Sequence, residues 1–155
     1  MVVCDAQRKT NSSRVPPKTS KATVRVDASS EGEKVIFLFD RIDRDGKFAF
    51  DVNRTDFDHK GFLQKMIDYS GMTWAEIRRQ THDAGKSKHH YLTEVNRYSL
   101  EAQDRIEKLG LMQDTDRIYS FALGNKLRII GLREREKFYV VWYDANHEFY
   151  PSKKG

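Results

Sequence analysis

The last third of the chain alternates. From Arg117 to Tyr150 apolar and polar residues follow one another with a period of two, and turn signals interrupt them at Gly124-Asn125, Arg133-Glu134-Arg135-Glu136 and Asp144-Ala145-Asn146. A period of two puts successive side chains on opposite faces of an extended chain, so this region is committed to an antiparallel sheet. Ile118–Leu123, Lys126–Leu132 and Lys137–Tyr143 are its expected strands. His147–Tyr150, stopped by Pro151, is a short fourth segment.

Upstream the period lengthens to that of helices. Thr73-Trp74-Ala75-Glu76 is a capping box, with Met72 and Ile77 as its hydrophobic staple. Thr55 is placed to cap a helix carrying Phe62, Leu63, Met66 and Ile67, and a third helix is expected over 92–109, ended by Gly110. Val35–Phe39, the turn signal Asp45-Gly46 and the return Phe48-Ala49-Phe50 read as a β-hairpin over 35–52. The turn is not a calcium loop, because Arg41 and Val52 would stand where carboxylates are needed. The expected fold class is therefore α+β: an N-terminal β-hairpin, about three helices and a C-terminal antiparallel sheet.

A chain of 155 residues has room for one domain. Residues 1–33 hold Pro16-Pro17 among serines, threonines and isolated cations without any period, so they read as a disordered basic tail. Within it, Thr23–Val26 is the piece able to add an edge strand. Residues 34–155 are left as a single α+β domain.

The net charge of +5 favours a polyanionic partner, although it also suits plain solubility. No run approaches the ~20 apolar residues of a membrane span, and the N-terminus carries no apolar signal core. With a single cysteine, Cys4, the expectation is a cytoplasmic protein without a membrane partner. Glycine-rich phosphate loops, Gly-x-Ser-x-Gly and Cys-x-x-Cys are all missing from the sequence, which argues against ATP-driven, serine-hydrolase and zinc-finger chemistry.

Chemistry is best supported in the alternating region. Lys126 and Arg128 alternate with Leu127 and Ile129, so they share one sheet face, expected to meet solvent. Arg133, Arg135 and Lys137 crowd the next turn and strand, and with Lys126 they are candidate nucleic-acid contacts. Arg128, His147 and Tyr150 are candidate catalytic residues for phosphodiester cleavage. Arginine would neutralise charge developing on phosphorus, while histidine and tyrosine trade protons with the 2′-hydroxyl and the leaving oxygen. The plain alternative is a solvated face with a surface histidine. His82, His89 and His90, with Lys86 and Lys88 between, read as an exposed loop or as a basic loop touching phosphates. Their spacing fits no metal motif, and neither metal nor cofactor is expected.

Three stretches carry a resemblance: Leu127-Arg128-Ile129-Ile130-Gly131, then Phe138-Tyr139-Val140-Val141-Trp142-Tyr143-Asp144, then His147-Glu148-Phe149-Tyr150. Together they resemble the closing strands of RelE-like toxins of toxin–antitoxin systems. The resemblance implies a metal-independent mRNA endoribonuclease, RNA or the ribosome as partner, and an antitoxin protein. The ending Trp142-Tyr143-Asp144-Ala145-Asn146-His147 is also similar to uncharacterised phage and bacterial proteins. Two other readings stay open. One is a nucleic-acid-binding module without catalysis, since Gly71–Ile77 looks like the first helix of a helix-turn-helix, although Thr81–His90 lacks the apolar spacing of a recognition helix. The other is a phage or host accessory protein whose sheet edge binds another protein.

Overall fold

The computed structural model describes residues 28–82 and 85–152. It is an α+β fold whose five strands form one mixed sheet. β1 is Ile36–Leu38, β2 His90–Tyr91, β3 Ile118–Ala122, β4 Arg128–Glu134 and β5 Lys137–Asp144. They lie in the order β1-β5-β4-β3-β2. The expected antiparallel ladder of β3, β4 and β5 is present, and β4 and β5 join through a two-residue turn in which Arg135 takes φ 60°.

The expected N-terminal hairpin is replaced by a longer-range arrangement. β1 pairs parallel with β5, Ile36 against Lys137 and Leu38 against Tyr139. The return segment also lies on β5, with Ala49 bridging Trp142 and the Tyr143 N–H donating to the Phe48 carbonyl at 3.0 Å. Asp43 explains the diversion. Its buried carboxylate accepts from Arg105 Nε and Trp142 Nε1 at 2.8 and 2.9 Å, which binds the turn to the sheet rather than to β1.

Helix α1 spans His59–Ser70, α2 Trp74–Arg78 and α3 Leu100–Lys108. The capping box of Thr73 and Glu76 forms as read. α1 starts later than expected, capped by Asp58 instead of Thr55. The helix expected over 92–109 is broken by a 3-10 turn at Val95–Arg97 and restarts behind Ser99, whose hydroxyl caps α3. Of the tail expected over 1–33, residues 1–27 (and Thr23–Val26 with them) lie outside the described residues. The rest joins the domain: Ser30 is buried, and the Glu33 carbonyl accepts the Trp74 N–H at 3.0 Å.

Both faces of the sheet are covered. Phe62, Met66, Trp74 and Ile77 pack with Phe121, Ile129, Phe138 and Val140 on one face, and Tyr98, Ala102, Ile106 and Phe149 pack with Ile130, Leu132, Val141 and Trp142 on the other. The expected solvent-open basic face is not formed as read: Arg128 is 7% exposed, while Lys126 stays exposed on the β3–β4 turn. β5 changes phase in its middle: Val140 faces Gly131 but Trp142 faces Ile130, so Val141 is an extra residue, a β-bulge. Gly131 permits it, since a Cβ there would stand 1.9 Å from the Tyr139 carbonyl oxygen. No helix among the described residues is long and apolar enough to cross a membrane.

Candidate functional site

One end of the sheet, where β4 begins and β5 finishes, gathers the candidate residues. Arg128 and Asp144 are cross-strand partners there, so they share a face. Arg128 Nη1 donates to the Gly124 and Leu127 carbonyls, each at 3.0 Å, tying down the β3–β4 turn. Its Nε and Nη2 have no hydrogen-bond partner among the described residues. Burial lowers the Arg128 pKa while Asp144 opposes the shift, and a guanidinium remains cationic at neutral pH regardless.

Asp144 shapes the next turn. Buried, it accepts the N–H groups of Glu148 and Phe149, each at 2.9 Å. That closure holds His147 at φ 60°, a left-handed conformation unusual for a residue with a Cβ. His147 is half-buried, and burial, followed by Arg128, His90 and Arg97, pulls its pKa down to about 4. At neutral pH its imidazole is uncharged and able to accept a proton.

Tyr150 anchors the chain end. Its hydroxyl accepts the Glu94 N–H at 3.0 Å, and its ring lies 4.4 Å beneath the Arg97 guanidinium. Arg97 in turn donates to Glu94 Oε2 at 2.8 Å and to the Pro151 carbonyl at 3.0 Å.

His82 and residues 85–90 form the opposite wall, and His89 sets their orientation. Only 1% exposed, His89 accepts the Ala122 N–H on Nδ1 at 3.0 Å and donates from Nε2 to Gln80 Oε1 at 2.7 Å. Those two bonds fix a neutral tautomer, and burial drives the pKa down to about 3. The exposed loop expected for this histidine is thus corrected: His89 is a buried pin, while its neighbours Lys88 and His90 turn outward.

Between these walls lies a cavity of about 480 Å³. Lys86, Lys88, Arg97 and Arg128 supply four cations to its lining, and His82, His90 and His147 supply three imidazoles. Tyr150, Ser87 and Ser152 complete it, and no carboxylate lines it among the described residues. Arg128, His147 and Tyr150, picked from three separate stretches of sequence, therefore meet at one cavity. The loop lysines and histidines, a separate candidate in the sequence, meet them there. Arg97 and Ser152 escaped notice, because each stands alone in its stretch with no charge pattern to single it out.

The candidate nucleic-acid contacts divide. Lys126 is exposed on the β3–β4 turn at the cavity's end but does not line it. Arg133, Arg135 and Lys137 sit at the far end of β4 and β5, roughly 20 Å away at about 3.3 Å per residue. Arg133 is not available to a phosphate at all. It is 4% exposed, its Nη2 donates to Glu31 Oε2 at 3.1 Å, and its guanidinium stacks on Trp74 at 3.9 Å. Among the described residues, no group of three or more His, Cys, Asp or Glu is arranged to hold a metal ion.

Compared with known proteins, the chain matches no family model, no curated protein and no solved structure.

Proposed function

We propose that this protein is a toxin-like endoribonuclease, resembling the RelE-like toxins, that cleaves mRNA in the cationic cavity at the end of its sheet. The observation that carries the reading is the meeting of Arg128, His147 and Tyr150 at a cavity rich in cations and without a described carboxylate. Such a lining attracts phosphate and repels nothing about it. His147, uncharged at neutral pH, takes the proton of a 2′-hydroxyl as that oxygen attacks phosphorus. The bond from phosphorus to the 5′-oxygen then breaks, and the Tyr150 hydroxyl supplies the proton that the leaving oxygen needs. The unpartnered edge of Arg128 faces the charge that builds on the phosphoryl oxygens. An antitoxin that silences this site would fit it best with an acidic segment.

End-labelled RNA incubated with the purified protein, with and without ribosomes and with EDTA present, tests the proposal. Cleavage is expected in EDTA, and it should vanish in a folded His147→Ala variant. Intact RNA in every arm would sink it.

A second reading, nucleic-acid binding without cleavage, draws on Tyr150 itself. That hydroxyl already accepts a backbone N–H, and the residue is only 5% exposed. RNA that binds at low salt yet stays whole would select this reading.

A further inference from the structure

We infer that His90 is a phosphate contact that works only as an imidazolium, so that the cavity takes up a proton at His90 Nε2 when a phosphate group enters. The inference rests on the phosphate-binding part of the reading above, and its geometry comes from one hydrogen bond. His90 opens β2, directly after His89. Side chains alternate along a strand. With His89 pinned inward against Ala122 and Gln80, His90 turns to the other side and lines the cavity. Its Nδ1 stands 3.0 Å from the carbonyl oxygen of Tyr91. A carbonyl only accepts, so Nδ1 carries the hydrogen. A neutral ring has a single N–H, and here it is spent on Tyr91. Nε2 has no hydrogen-bond partner among the described residues and is left as a bare lone pair.

That lone pair repels a phosphoryl oxygen, whereas a proton added to Nε2 turns it into a charge-assisted donor. The two protonation states of His90 therefore act with opposite sign on the same ligand. In the free protein the uncharged state prevails. Desolvation by the surrounding protein is the first cause. The Tyr91 bond works against it, the charges of Arg128, Arg97 and His82 add to it, and the pKa falls below the ordinary 6.5. Lys86, Lys88, His147 and Tyr150 complete the charged and titratable groups of the described lining. A phosphate entering among these cations brings negative charge, offsets their opposition to one more cation and raises the His90 pKa. Phosphate and proton are then linked ligands, each strengthening the binding of the other.

Imidazole nitrogen shifts of the full-length protein, labelled with nitrogen-15 in its histidines, test this at low salt and pH 6.5, with His90→Gln assigning the His90 signals. Two probes are added in turn: a 2′-O-methyl RNA octamer, which lacks the attacking hydroxyl and stays whole, and inorganic pyrophosphate. The free protein is expected to show His90 mainly as the neutral Nδ1–H tautomer, and each bound probe should drive Nε2 to its protonated shift. His90→Gln should weaken binding by about ten-fold at pH 6.5, the worth of a hydrogen bond to a charged group. The loss should be much smaller at pH 8.5, where the wild-type ring is also uncharged. Comparing variant with wild type at each pH cancels the titration of the probe itself. A His90 that stays neutral with whichever probe binds, or an equal loss at both pH values, overturns the inference and leaves the RNA reading standing if the octamer binds. Pyrophosphate binding with this proton uptake, beside an octamer that does not bind, keeps the inference and sinks the RNA reading. If neither probe binds, both fall.

Discussion

Arg128 and Arg133 stand near opposite ends of one strand, and each buries a guanidinium, at 7% and 4% exposure. Arg133 is answered from within the protein. Glu31 supplies a carboxylate, the Arg135 carbonyl accepts from Nε at 3.0 Å, and the plane rests on Trp74. Arg128 is answered by neutral carbonyls on one nitrogen only. Its nearest acid, Asp144, is engaged with backbone N–H groups, and the imidazoles around it are pushed toward their uncharged forms. Burial and charge are the same at both positions. What separates them is whether the counter-charge comes from the chain or is left for a ligand to bring.

The largest expected effect breaks the pair apart. Arg128→Ala should lower cleavage by about 10²–10³-fold, the usual loss when one stabiliser of transition-state charge is removed. Arg133→Ala should leave cleavage per folded molecule unchanged and lower urea stability by about 2–4 kcal/mol. Breaking a buried pair strands a charge, and here Glu31 is left only its outer partner, Arg78. If Arg133→Ala loses activity at full stability, the distinction fails.

Proton coupling comes next. In the free protein His147 is uncharged, its pKa pulled down to about 4 first by burial and then by the cations beside it. Bound phosphate offsets those cations, so the pKa rises and a proton is taken up on binding. RNA affinity should therefore increase as pH falls through the raised bound-state value, and should stop increasing near pH 4, where the free imidazole also charges. Anisotropy titrations between neutral pH and pH 5 measure this, and His147→Gln should flatten the slope. His89 gives the contrasting case, in which pH acts on stability. Its folded pKa, about 3, lies below the ordinary 6.5, so its contribution is complete above 6.5 and is lost as pH falls from 6.5 toward 3. Urea midpoints across that window should decline in the wild type even without RNA.

Salt dependence sharpens the same comparison of the two ends. Each phosphate neutralised adds about one unit to the slope of log affinity against log salt. Lys86→Ala should remove about one such unit, whereas Arg135→Ala and Lys137→Ala, at the far end, should leave the slope alone. An equal effect at both ends would mean that RNA runs the length of the sheet.

The smallest effect concerns backbone strain. Arg135 and His147 both hold φ 60°, a conformation that glycine adopts freely. Arg135→Gly and His147→Gly should each raise stability slightly, by about 0.5–1 kcal/mol. Only His147→Gly should abolish cleavage.

The alternating strands and the Thr73 capping box were legible because each is written in consecutive residues. The partner of β1 was not. Its ladder joins Ile36 to Lys137 in parallel, and a contact so remote leaves no local mark, while Asp45-Gly46 makes a true turn (Gly46 has φ 85°) that points to the wrong strand. At the site, chemistry selected Arg128, His147 and Tyr150. The loop's arrival beside them depends on the two-residue β2 and on His89, whose burial hinges on a bond to the Ala122 N–H that no spacing announces. Arg133 misled for the converse reason: the acid that neutralises it, Glu31, was assigned to the tail.

The bulge at Val141 has a consequence at the strand's end. Counted from Phe138 by simple alternation, Trp142 and Asp144 would fall on the face of α1 and α2. The extra residue inverts that parity, so Trp142 reaches Asp43 and Asp144 stands beside Arg128. The face that Asp144 takes is thus decided by an odd or even count made three residues earlier, at the Val141 bulge opposite a glycine buried mid-sheet. A methyl group at Gly131 would leave every polar residue of the cavity in place in the sequence. Yet by pressing β5 back into register it would turn the carboxylate that shapes the His147 turn toward the wrong side of the protein.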